Sequence, residues 1–139
     1  MHYLKHHPET STLTGELLVC DSPTLTGRTY PIDEVKHAVV MLRPRIAGNT
    51  VLGELGMSFN TDFMRPVDLT KVAVQVIEVH IRGKKLYGTL KILNTDSGNL
   101  LKSMINANRK FKAAMTAIGT ITHGTVTGIT IITFNVVLV

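Results

Sequence analysis

The residues of this chain with the chemistry to catalyse a reaction or hold a metal are six histidines, the single cysteine Cys20, and the carboxylates Glu54 and Asp68. His2, His6 and His7 lie close together, but no Cys or carboxylate completes them at a diagnostic ligand spacing. No metal centre and no cofactor are expected. His37 falls on the polar side of a helical pattern, and His80 and His123 fall on strands or turns, where surface hydrogen bonding is the default role. Cys20 follows the apolar Leu17-Leu18-Val19 and reads as a buried, space-filling thiol, since no nearby His activates it. Glu54 and Asp68 do not read as an acid–base pair, and Glu54 reads better as a structural carboxylate. The C-terminal glycines Gly119, Gly124 and Gly128 alternate with Thr and lack the Lys that a phosphate-binding loop requires.

Charge narrows the partners. The formal net charge is +5, but its cations are dispersed as Arg43 and Arg45, Arg82 with Lys84 and Lys85, and Arg109 with Lys110 and Lys112. Only Tyr87 and Phe111 supply aromatic surface among them, so nucleic acid is not the expected partner. An acidic protein surface suits such charge, and Arg43, Arg45, Arg82, Lys84 and Lys85 are the candidate contacts. At 44% hydrophobic and 18% charged residues the chain folds rather than remaining disordered. It has no window of about 20 apolar residues for a membrane span. The polar start Met1-His2-Tyr3-Leu4-Lys5-His6-His7 does not read as a signal peptide.

The elements that position these residues follow from periodicity. Residues 1–12 read as a polar arm, and residues 13–139 as a single domain. Leu13–Val19 reads as a strand with Gly15 a candidate bulge, and Cys20–Tyr30 as loop. Pro31 opens a helix on which Ile32, Val35, Val39 and Leu42 recur, and Pro44 is expected to stop it. Thr50–Leu55 is a short strand, followed by a long loop from Gly56 to Pro66. Val72–Ile81 and Leu86–Leu93 form a hairpin about Arg82-Gly83-Lys84-Lys85. Asn94 to Gly98 offer N-caps for a helix with Leu100, Leu101, Met104 and Ile105 on one side. The chain from Phe111 onward reads as two or more strands. The fold class is α+β: a small, mainly antiparallel β-barrel or sheet with two flanking helices.

Four segments, in order, resemble the prohead (capsid-maturation) proteases of tailed phages, whose fold is shared with herpesvirus assemblins. Thr26-Gly27-Arg28-Thr29-Tyr30-Pro31 is like the family's "NGR-YP" before its first helix. Gly53-Glu54-Leu55-Gly56-Met57 is like "GELDHP". Val67 to Val74 is similar to "idlsrVSH", and Leu86 to Gly98 to "v-G-lkiL-TP-G".

The resemblance implies a serine protease, and also where its catalytic groups would fall. Met57 stands at the position of the "GELDHP" histidine, the base, and Val74 at that of the "VSH" histidine. With Gly119 aligned to the family's "g-SsR--G" glycine, Ala114 stands at the serine and Thr116 at the arginine. A serine protease needs a nucleophile, a base in reach and a group to orient that base. The expectation is therefore a chain that is not an enzyme, with Met57, Val74 and Ala114 as degenerate positions. Its expected role is that of a virion structural protein, most specifically a capsid decoration (cement) protein made in the host cytoplasm. The major capsid protein and neighbouring virion subunits would be its partners, with self-assembly left open. The alternatives are an active or variant maturation protease, in which Thr116, Ser103 or His80 supplies the missing chemistry, and a transient internal scaffold or core protein.

Overall fold

The computed structural model describes residues 3–56 and 68–139. Among them, one sheet is formed by β1 (Lys5–His7), β2 (Thr12–Val19), β3 (Leu52–Gly56), β4 (Val72–Arg82), β5 (Lys85–Ile92), β6 (Phe111–Thr122) and β7 (Thr125–Leu138). Helix α1 (Ile32–Ala47) joins β2 to β3, and α2 (Asp96–Asn106) joins β5 to β6. The strand order is β1-β2-β5-β4-β3-β7-β6. Neighbours are antiparallel except β3 with β7, which run parallel. This is the α+β class expected, as an open sheet and not a closed barrel. The two edges approach where Leu4 N donates to Phe111 O at 2.9 Å, with no ladder between them among the described residues.

Side chains alternate across the pleat. Leu13, Leu90 and Val76 stand opposite one another on β2, β5 and β4 and are fully buried. The next row, Thr14, Thr89 and Glu78, points to the other face. Gly88 is required by a close approach: a Cβ there would sit 2.5 Å from Leu17 Cδ1 and 2.7 Å from Glu78 O.

Both helices begin at outside anchors. Asp21 Oδ1 accepts from Ile32 N at 2.9 Å, which satisfies an orphan donor of α1 that Pro31 cannot cap with a side chain. Thr95 caps α2 by accepting from Gly98 N, and its hydroxyl donates to Val72 O at 2.6 Å, so the cap also ties α2 to β4.

Three expectations are corrected. Residues 5–7 of the expected arm form β1 and pair with β2. Pro44 does not stop α1, which continues to Ala47. The carbonyl that loses its donor is that of Val40, whose side chain is 63% exposed, so the gap faces solvent. The last turn is held from outside, because Arg45 donates to Ile131 O and Ile132 O at 2.6 and 2.7 Å. Leu100 is exposed, and Leu101 carries the apolar face of α2.

Candidate functional site at the junction of β3, β6 and β7

β3 changes partner along its length. Leu52, Gly53 and Glu54 pair with β4, whereas Leu55 and Gly56 pair with β7. Side chains of β7 take up backbone groups at that switch. Thr133 Oγ1 donates to Leu52 O at 2.7 Å, and Asn135 Oδ1 accepts from Glu54 N at 2.9 Å. Left unpaired and buried, such groups would be costly. A Cβ on Gly53 would overlap Phe134 O and approach Val74 Cγ2 to 2.9 Å. The Gly-Glu-Leu sequence thus has a physical cause here: only a bare Cα lets β7 pass.

Asn135 also donates from Nδ2 to Thr116 Oγ1 at 2.9 Å. Its orientation is unambiguous, because a backbone N–H can only donate and so requires Oδ1 toward Glu54. Across the β6–β7 ladder Lys112 is opposite Val137, Ala114 opposite Asn135, and Thr116 opposite Thr133. Lys112, Ala114 and Thr116 therefore share one face of β6. Glu54 is buried, and its Oε2 accepts from Asp68 N at 3.1 Å. Of the six buried polar or charged residues described, Glu54, Lys112, Thr116, Thr133 and Asn135 all lie on these three strands, so the polar interior is local rather than scattered.

These groups can do only some chemistry. Burial pushes the Lys112 ammonium below its ordinary pKa. Four residues along a strand separate it from Thr116 by roughly 13 Å, however, so it is no base for that hydroxyl. Thr116 offers a hydroxyl held by an amide, and Glu54 a buried carboxylate on β3, which β7 separates from β6. Among the described residues no group of three or more His, Cys, Asp or Glu gathers as a metal site.

The other residues singled out in the sequence fall as follows. Val74 is fully buried opposite Gly53, and Ala114 stands opposite Asn135, so both border the junction. Met57 lies outside the described residues. His80 does not join them: its Nδ1 lies 2.6 Å from Glu78 Oε1 and its ring stacks on Tyr87. Ser103 donates to Asn99 O within α2. His7 Nε2 bonds Thr14 Oγ1, His37 is exposed, and His123 occupies the β6–β7 turn. Cys20 is buried, and desolvation, with a smaller contribution from Asp21, pushes its thiol up to about 11. Arg45 spends its guanidinium on β7, and Arg43 donates to Val79 O at 3.4 Å. Sequence reasoning missed Asn135, although a lone amide within the apolar run Phe134 to Val139 was its signal.

No family model matches the chain, and no curated protein matches it. Among solved structures, the chain is similar to the capsid assembly protease gp21 of bacteriophage T4. The TM-score is 0.77 at 21% identity, over 91% of this chain and 80% of that one. The fold is therefore prohead-protease-like. This finding corrects the expectation that the chain is not an enzyme, because the fold it shares belongs to a protease. The likeness does not show Met57, Val74 or Ala114 to be lost catalytic groups.

Proposed function

We propose that this chain is a peptidase of phage head assembly, a variant of the capsid-maturation protease that acts on capsid chains. The observation that carries this reading is the buried Thr116–Asn135–Glu54 junction on a capsid-assembly-protease fold. Thr116 Oγ1 attacks the scissile carbonyl, with Asn135 as the positioning residue. The hydroxyl proton goes to the leaving amine as the peptide bond breaks, and water hydrolyses the resulting ester. The substrate is the major capsid protein or a neighbour in the head, met in the host cytoplasm as the particle forms.

The test is incubation of the purified chain with peptides from the head proteins of its own phage. Cleavage that disappears in Thr116→Val, with the variant folded, is the expected result. No cleavage, or cleavage unchanged in Thr116→Val, overturns the assignment.

A specific observation favours a second reading, in which the chain stays on the capsid lattice of the mature virion, as a decoration protein does. Ile118 and Ile121 on β6, the last strand of the sheet, are 40% and 48% exposed and offer apolar surface for docking. Copies per mature particle, counted by quantitative mass spectrometry, decide it. Hundreds of copies support retention, and near-zero copies support a transient role inside the assembling head.

A further inference from the structure

The outer face of β1, β2, β5 and β4 has a composition that the junction does not explain. Cross-strand pairing places Arg82 beside Lys85, His80 beside Tyr87 and Glu16, Glu78 beside Thr89, Thr14 and Lys5, and Gln75 beside Lys91, Thr12 and His7. These four rows share one face, opposite the buried row of Leu13, Leu90 and Val76. Both carboxylates on it are engaged within the face. Glu78 Oε1 lies 2.6 Å from His80 Nδ1, and Glu16 Oε1 lies 3.6 Å from Lys85 Nζ. Lys5, Arg82 and Lys91 are exposed, and no carboxylate among the described residues pairs with them.

We infer that this face binds an extended, acidic polypeptide segment of a partner protein. From Lys85 through Tyr87 and Thr89 to Lys91, proton donors recur at every second residue of β5, about 6.6–6.8 Å apart. Carboxylates at alternate residues of an extended chain recur at the same interval, so one such segment meets Lys85, Tyr87, Thr89 and Lys91 in register. Lys5 and Arg82 flank that line on neighbouring strands.

One feature favours a polypeptide over a nucleic acid strand. Tyr87, the aromatic ring at the centre of the face, is already stacked on by His80 and approached by the Arg82 guanidinium at 5.4 Å, whereas single strands rely on open rings for base stacking. This inference is independent of the hydrolytic reading, because none of these residues belongs to the junction.

The test is fluorescence anisotropy of the full chain with a labelled peptide of alternating Glu and Thr, a peptide of alternating Lys and Thr, and an oligothymidylate of similar length. The expected result is binding of the Glu peptide alone, weakening as salt rises, and lost by about ten-fold or more in the Lys5→Glu/Arg82→Glu/Lys91→Glu variant. All three positions are exposed, so the variant keeps the core, and a melting curve checks it. The proposal is overturned if the Glu peptide fails to bind at low salt, if the charge-reversed variant binds it as well as the parent, or if oligothymidylate binds more tightly.

Discussion

Replacing Asn135 by Ala removes a side chain that holds two strands to β7 at once. Its Oδ1 takes the Glu54 N–H and its Nδ2 supplies the Thr116 hydroxyl, both at 2.9 Å. Leaving the Glu54 N–H buried without an acceptor costs about 1–3 kcal/mol, and the lost bond to Thr116 about 1 kcal/mol more. With the cavity left behind, Asn135→Ala is expected to cost about 3–4 kcal/mol, a large part of the ~5–15 kcal/mol that holds a typical domain. Thr116→Val keeps the shape of the residue and removes only its hydroxyl, so about 1 kcal/mol is expected. Urea unfolding of both single variants and the double variant forms a cycle with an expected coupling of about 0.5–1 kcal/mol, because the Thr116 bond is lost once and not twice. A midpoint for Asn135→Ala within about 0.3 M of the parent would refute the reasoning, as would strictly additive single variants.

Gly53→Ala places a methyl group into Phe134 O, and a loss of about 3 kcal/mol or failure to fold is expected, measured by urea midpoint and soluble yield. Arg45→Met removes both donors to Ile131 O and Ile132 O, so a loss of about 2–3 kcal/mol is expected, measured by urea midpoint. The Cys20 thiol is raised to about 11 from 9.0, so the unfolded chain releases this proton first as pH rises. Stability is therefore expected to be intact below pH 9 and to fall between pH 9 and about 11, by at most about 2–3 kcal/mol, and the slope should flatten in Cys20→Ala. At pH 8 the native thiol should react with a disulfide reagent far more slowly than in denaturant.

Local rules carried most of the fold. The Gly83 turn, the Thr95 cap and the spacing of Val35, Val39 and Leu42 are all decided by neighbours in sequence, and β4, β5 and α2 lie where their patterns put them. Pro44 escaped those rules because the force that continues α1 past it comes from β7, through Arg45. The junction was illegible for the same reason. Glu54 and Asn135 are 81 residues apart in sequence, and the parallel contact of β3 with β7 leaves no periodicity in either segment. Reading Glu54 as a structural carboxylate gave no indication of the strands and backbone groups it meets. Aligning family positions put Ala114, the residue opposite Asn135, at the serine and Thr116 at the arginine, with the Thr116 hydroxyl that Asn135 holds kept only as an alternative.

The composition of the junction bears on whether the site is kept for stability or for chemistry. Thr133 and Asn135 earn their burial structurally, since Leu52 O and Glu54 N would otherwise lack partners on β7. The ladder already pairs the backbone of β6 with β7, so neither Lys112 nor Thr116 is needed to satisfy a backbone group there, and Thr116 is held by Asn135. Buried cations and hydroxyls cost more than apolar residues of similar size unless fully satisfied, and the neighbouring positions Phe111, Phe134 and Val136 show that apolar packing is available on these strands. If Thr116 is only structural, Thr116→Val should cost about 1 kcal/mol and leave peptide cleavage untouched. If it belongs to a working site, the same variant should lose cleavage of head-protein peptides at that same small cost in stability. Measuring urea midpoint and cleavage on the one variant separates these cases, because only the second moves the cleavage readout.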